Sequence, residues 1–135
     1  MTLQYSTALR NTRNDAITTA IGASGLLRWY AGAVPASAEA SLGAATLLAE
    51  LPCSATFAPG SASGLLTANA ISPAAAVGSG TATFYRLYKS DGTTPVVQGT
   101  ITATGGGGDL TLDNTSITAG QNCSQASYSI TANGA

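Results

Sequence analysis

Residues 81–104 constrain the fold of this chain more than any other segment. Two runs rich in β-branched and aromatic residues, TATFYRLYK and PVVQGTITAT, flank the short sequence SDGTT. The pair Asp91-Gly92 between such runs predicts a β-hairpin, because glycine adopts without strain the positive φ that a tight turn requires. In the second run Val97 and Ile101 fall on one side of the strand and polar residues on the other. The hairpin therefore has an apolar face that other parts of the chain must cover.

The chain after residue 25 divides into short strand-like runs separated by segments rich in Gly, Pro and Ser. The predicted strands outside the hairpin are residues 26–31, 46–51, 54–57, 65–71, 110–112 and 126–132. In the first of these, Leu27 and Trp29 are expected to face the core, and the glycine run 105–108 is expected to be a flexible connector. About seven to eight short strands predict a mainly β single domain over residues 1–135, either an antiparallel β-sandwich or a jelly-roll-like barrel.

One N-terminal α-helix is predicted at residues 2–22, ahead of a β-sandwich body at residues 26–132. Five apolar residues recur in the helix at helical spacing and share one face, namely Leu9, Ala16, Ile17, Ala20 and Ile21. Ser6 or Thr7 can cap the start of the helix, and Gly22 stands where a helix commonly ends. Arginine, asparagine and aspartate side chains occupy the opposite face. We therefore expect the apolar face to pack either on its own domain or on a neighbouring subunit.

The strand FYRLYK carries large side chains on both faces. Tyr85 and Leu87 face one way, whereas Phe84 and Tyr88 face the other. One face must belong to the core. The other is expected either to lie beneath the N-terminal helix or to form an interface, where Tyr, Phe and Arg are enriched. The candidate interface residues are Leu9, Ile17, Ile21, Phe84, Tyr85, Arg86 and Tyr88.

The charged and metal-binding side chains are too few for several classes of function. Five Lys and Arg residues against six Asp and Glu residues leave little to neutralise a phosphate backbone, so no nucleic-acid partner is expected. Without histidine the chain lacks a Ser-His or Cys-His nucleophile pair, so we expect no enzyme, no catalytic residues, no metal site and no cofactor. Its apolar runs are shorter than the roughly 20 residues of a membrane span, and its start lacks the apolar centre of a secretory signal.

Two pairs of residues leave alternatives open. Asp109 and Asp113 lie four residues apart, and we expect them to bond to backbone in turns, the alternative being a weak cation site that includes Asn114. Cys53 and Cys123 are expected to be two buried thiols. The alternative is a disulfide formed after release into an oxidising medium.

Three stretches carry a resemblance to a known class of proteins. They are MTLQYSTALRNTRNDAITTAIG, FYRLYKSDGTTPVVQGTITATGGGGDLTLDNTSITAGQ and the closing SYSITANG. At these stretches the chain resembles small virion structural proteins of tailed bacteriophages, most strongly at its two ends and weakly from Ala33 to Gly80. The resemblance implies a non-enzymatic particle component, either a capsid decoration (cement) protein or a neck or tail component. Decoration proteins of this kind are small β-sandwich or jelly-roll domains that cluster at capsid symmetry points.

The expected function is therefore capsid decoration that stabilises the shell by binding across capsid subunits. The implied partners are the major capsid protein or other virion proteins, and the implied location is the virion after synthesis in the host cytoplasm. A net charge near zero opposes self-association weakly, which favours a homo-oligomer. A carbohydrate-binding or adhesive β module is the alternative, and it would stack sugar rings on Trp29 or the tyrosines.

Overall fold

The computed structural model describes residues 2–134, and within them the predicted hairpin lies at the centre of the fold. Its turn follows the prediction, since Gly92 has a φ of 68° and its N–H donates to the carbonyl oxygen of Lys89 at 3.0 Å. The elements in chain order are α1 (Thr7–Ile21), β1 (Leu26–Ala31), β2 (Thr46–Pro52), β3 (Leu65–Thr67), β4 (Ala74–Ala75), β5 (Gly80–Tyr88), β6 (Pro95–Ala103), β7 (Leu110–Leu112), β8 (Ser116–Ile117), β9 (Asn122–Cys123) and β10 (Ser129–Thr131).

The hairpin strands β5 and β6 are the middle of a six-stranded sheet of order β2-β1-β5-β6-β7, with β8 paired to the start of β5. The register places Tyr85 between Trp29 on β1 and Gly99 on β6. A Cβ at Gly99 would lie 2.6 Å from the Tyr85 ring, so the glycine makes room for this ring on the sheet. The pairings are antiparallel except for β6 with β7, which makes the sheet mixed.

The parallel pairing of β6 with β7 depends on the glycine run between them. Parallel neighbours usually need a crossover of a dozen or more residues, and here only residues 104–109 connect the two strands. Gly105 and Gly107 have φ values of 87° and 80°, while a Cβ at Gly106 or Gly108 would lie within 3 Å of the Thr102 side chain. Each glycine of the expected connector therefore meets a conformational or steric requirement.

One face of the sheet carries the main core. Buried residues such as Leu27, Trp29 and Leu87 pack there against Phe57 and Tyr128 of a second layer. That layer consists of two small sheets, β3–β10 and β4–β9, together with α1 and irregular segments. The fold is therefore sandwich-like, as expected, and it is not a closed barrel because β2 and β7 remain edge strands among the described residues.

Three predicted strand boundaries were wrong in this second layer. Residues 54–57 form no strand, although Phe57 is buried, and the strand expected at 65–71 ends at Thr67. The last strand is shorter than expected, and Ala126 is exposed rather than inward. In these segments backbone groups form single long-range hydrogen bonds, such as the one from Asn69 N–H to the Phe57 carbonyl oxygen at 2.8 Å. Because no continuous strand pairing forms, buried and exposed side chains do not alternate along them.

The other face of the sheet is covered by residues 32–45, which we call the covering loop. The rings of Tyr30 and Phe84 stack there at 5.0 Å, and the Tyr30 and Tyr88 hydroxyl groups lie 3.1 Å apart. Leu42 of the covering loop packs on this aromatic cluster. Neither expectation for this face was right, because a loop of the same chain covers it instead of the helix or a partner.

The helix is capped as predicted but starts later than expected. It begins at Thr7 rather than residue 2, because Ser6 has an extended backbone and its hydroxyl oxygen accepts a bond from Leu9 N–H at 3.2 Å. Gly22 ends it with a φ of 71°. Within the described residues, this helix is too short and too polar to cross a membrane.

Candidate interaction surface

The helix docks on the β body through polar side chains. The Asn14 amide is buried and donates to the Gly64 carbonyl at 2.8 Å, while the Asn11 side-chain oxygen accepts from Gly64 N–H at 2.8 Å. The Asp15 Oδ1 atom accepts hydrogen bonds from the N–H and from the hydroxyl group of Ser61, at 2.8 and 2.7 Å. These two bonds lower the pKa of the Asp15 carboxyl group. The inward side of the helix therefore includes Asn14 and Asp15, which were expected to face solvent.

This orientation turns most of the predicted apolar face outward. Ile21 is buried in the main core and Ile17 packs on it half-buried. Leu9, Ala16 and Ala20 are exposed. The expectation that all five apolar residues pack together was wrong, because side-chain bonds to backbone groups of residues 61–64 determine which way the helix faces.

Four large apolar residues of the N-terminal segment, the helix and β3 are exposed. We call Leu3, Tyr5, Leu9 and Leu65 the N-terminal patch; their exposed fractions are 69, 37, 45 and 43%. Leu65 follows Gly64, which the helix binds through two asparagine side chains. These bonds place the start of β3 beside the helix, whereas Leu9 lies on the side of the helix that faces away from Asn11 and Asn14.

The C-terminal residues hold the start of this surface in place. Tyr5 N–H donates to the carbonyl oxygen of Gly134 at 2.6 Å, and the Arg13 guanidinium lies 5.1 Å from the centre of the Tyr5 ring. Arg13 also donates to the Asn133 carbonyl at 3.4 Å. The sequence-based prediction did not single out Leu3, Tyr5 or Leu65, and it placed the first two within the helix expected at residues 2–22, whereas the helix begins at Thr7.

The strand residues proposed for an interface lie inside the protein instead. Phe84, Tyr85, Arg86 and Tyr88 are all buried by the chain itself. Of the seven candidate interface residues, Leu9 and Ile17 therefore reach the surface and the other five do not.

Arg86 has a structural role that explains its position on a buried strand. Its Nε donates to the Gln98 side-chain oxygen at 2.8 Å, and its Nη2 donates to the carbonyl oxygens of Ser37 and Ala40 at 3.1 and 2.7 Å. Gln98 in turn donates to the Pro35 carbonyl at 2.8 Å. These bonds fasten the covering loop to the sheet.

The two aspartates proposed for turns or a cation are tied to β6 and its end. Asp109 Oδ2 accepts from the N–H and hydroxyl group of Thr100, at 2.9 and 3.0 Å, and Asp113 Oδ1 accepts from the Thr104 hydroxyl at 3.3 Å. Nowhere in residues 2–134 do three or more His, Cys, Asp or Glu side chains gather closely enough to hold a metal ion. The bonds to threonine instead fix the short connection between β6 and β7.

The cysteines and aromatic residues are enclosed as well. Cys53 and Cys123 are separate buried thiols, and burial raises the pKa of Cys53 to about 11. The Tyr85 and Tyr128 hydroxyl groups lie 2.7 Å apart, and burial raises the pKa of both. The buried aromatic side chains also include Trp29, Tyr30, Phe57, Phe84 and Tyr88. Among the described residues this leaves Tyr5 alone for stacking on a sugar ring, which removes the basis of the carbohydrate-binding alternative.

No family model, curated protein or solved structure matches this chain. Six large apolar side chains are exposed among the described residues, and four of them form the N-terminal patch. Charged residues make up 8% of the chain.

Proposed function

We propose that this chain is a non-enzymatic structural protein of a tailed-bacteriophage virion that decorates the capsid and stabilises the shell. The observation that carries the proposal is the N-terminal patch, because the fold exposes these apolar residues while it buries the polar Asn14 side chain beneath the helix. A group of exposed apolar side chains that acts together marks a surface that binds other proteins, and the variants described below test whether these residues do so. The stretch of residues 1–22 that contributes three of them also carries the resemblance to virion proteins.

The proposed mechanism is the burial of this patch across the boundary between two shell subunits. A leucine side chain removed from water contributes about 1.5–3 kcal/mol. A contact made by Leu3, Leu9 and Leu65 therefore adds several kcal/mol to the cost of separating the subunits it joins. Because the patch is apolar, binding should change little with ionic strength.

The first test is the number of copies in purified particles of the phage that encodes the chain, measured by quantitative mass spectrometry. A number comparable to that of the major capsid protein supports decoration, whereas the far smaller number of a ring at one vertex supports a neck or tail position. Absence of the chain from purified particles would refute the proposal.

The second test compares variants in binding to particles made without this protein. Leu3→Asp and Leu9→Glu should each weaken binding at least about tenfold, since burying one unpaired carboxylate costs more than the 1.4 kcal/mol that a tenfold change represents. Val77→Asp is the matched control, because Val77 is 65% exposed and lies outside the patch. Equal binding by all three variants would show that the N-terminal patch is not the contact surface.

A further inference from the structure

The edge of the main sheet at β7 is accessible for pairing with another strand. β7 pairs with β6 on one side, where Thr104 N–H donates to the Leu112 carbonyl at 3.0 Å. Alternate residues of a strand direct their backbone groups to opposite sides, so the N–H and C=O of Thr111 point away from β6. No described strand pairs with β7 on that side.

A cleft of about 420 Å³ lies along this free edge. Residues 109–113 line one wall and residues 124–129 line the other. Leu110 and Leu112 are buried toward the core, whereas Thr111 is exposed. A single extended strand could therefore reach the Thr111 backbone from solvent without any rearrangement of the main core.

The charge of the cleft is entirely negative. Asp109 and Asp113 are its only charged lining residues, and their bonds to Thr100 and Thr104 hold both carboxylates in place. Asp109 and Asp113 flank the three residues of β7. Both are exposed, as is Thr111, while Leu110 and Leu112 between them are buried, so the two aspartates share the exposed face with Thr111.

These two aspartates also act against pairing between copies of the chain. If two β7 edges paired antiparallel about Thr111, Asp109 of each copy would lie opposite Asp113 of the other. Like charges directly opposite one another destabilise a strand pair, and charged residues are a common protection of free edges. The same edge attracts a strand of opposite charge.

We propose that the β7 edge binds an extended segment of another protein by strand addition, and that this segment carries two basic residues four positions apart. Directly opposite residues share a face, so these two side chains meet Asp109 and Asp113. The residues immediately before and after the central position of the segment lie opposite Leu112 and Leu110. They face the core side of the sheet, so they are apolar. Thr111 pairs with the central position. This inference is independent of the proposed role in a virion.

The test is an NMR titration of the ¹⁵N-labelled full chain with two blocked peptides, Lys-Val-Thr-Val-Lys and Glu-Val-Thr-Val-Glu. The lysine peptide should shift the amide signals of Thr111 and of residues 124–129 in a saturable way, and its affinity should fall with added salt. The glutamate peptide should leave these signals in place. Absence of shifts at Thr111 with the lysine peptide, or equal shifts with both peptides, would overturn the proposal.

Two variants separate the charge from the strand pairing. Asp109→Asn with Asp113→Asn should weaken the lysine peptide at least about tenfold, and sedimentation velocity should show new self-association of this variant. Thr111→Pro keeps both charges but removes the N–H donor at a position where no bond is lost, so it should abolish the shifts at residues 124–129. Asp91→Asn, at the hairpin turn, is the control and should bind like the wild type. Unchanged binding by the Thr111→Pro variant would show that the peptide does not add to the sheet.

Discussion

Replacement of Arg86 by methionine tests how the covering loop is held. Methionine matches the length of the arginine stem but donates no hydrogen bonds. The change removes bonds of 2.8 Å to Gln98 and of 3.1 and 2.7 Å to the carbonyl oxygens of Ser37 and Ala40. A bond from a charged donor contributes about 1.5–3 kcal/mol net, and the release of a buried guanidinium from its desolvation penalty offsets part of the loss. We expect the free energy of unfolding to fall by about 2–3 kcal/mol.

The assay combines denaturant unfolding with amide hydrogen exchange. Ala40 N–H and Ala45 N–H are the local reporters, since both bond within the covering loop, at 3.2 and 3.0 Å. Their exchange should rise more than that of the β1 and β5 amides, because the loop opens before the sheet unfolds. Lys89→Met is the matched control: it removes an exposed cation next to the same strand and should leave both measurements unchanged. Wild-type stability and exchange in the Arg86→Met protein would show that the apolar contacts of Leu42 hold the loop without Arg86.

Four further predictions concern turns and thiols. Gly92→Val should destabilise the protein by roughly 1–3 kcal/mol in thermal unfolding, because a β-branched residue is strained at a φ of 68°. Gly106→Ala should cost about the same, since its Cβ would lie 2.7 Å from a threonine side chain on β6, and a neutral result would restore the flexible connector. Bonds from the two following threonines lower the pKa of Asp91 to about 2, below the ordinary value of about 3.9, so the turn is fully stabilised above pH 4. Protection of the turn amides should be lost as the pH falls from about 4 through about 2. Cys53 and Cys123 should stay unreactive to a thiol reagent at pH 8 until the protein unfolds, and rapid labelling of the native protein would contradict their burial.

The parts of the fold that the sequence predicts well are those determined by neighbouring residues. The hairpin turn needs only Asp91-Gly92 between two β-favouring runs, and β1 and β2 lie within one residue of their predicted bounds. The two-sided strand at 84–88 was also read correctly, since Tyr85 and Phe84 belong to different buried clusters. In each case the signal comes from residues that are close in sequence.

The direction in which the helix faces could not be read in this way. Periodicity shows which residues share a face, but it does not show which face lies inward. Here the deciding contacts join Asn11, Asn14 and Asp15 to Ser61 and Gly64, about fifty residues along the chain. A buried asparagine that donates to a distant carbonyl has the same local sequence as one that faces water.

The covering loop shows a second kind of limit. Residues 32–45 contain mostly small side chains and no periodic pattern, so nothing in the segment itself predicts a buried contact. The available signal lay in the strand, where Phe84 and Tyr88 on one side and Tyr85 on the other require cover on both faces. That signal shows that a cover must exist, but not which segment supplies it.

The few charged side chains of this protein are used mainly to fix its irregular segments. Arg86 holds the covering loop, Asp15 holds residue 61, Asp91 forms the hairpin turn and Asp109 ties β7 to β6. Among the described residues, a single ion pair joins two charged side chains, Arg28 with Glu50 at 2.6 Å. Charges used in this way contribute to the fold, and at the β7 edge Asp109 and Asp113 are in addition proposed to meet a basic segment. It follows that binding at the N-terminal patch and binding at the β7 edge should differ in salt dependence, since the first surface is apolar and the second is flanked by two carboxylates.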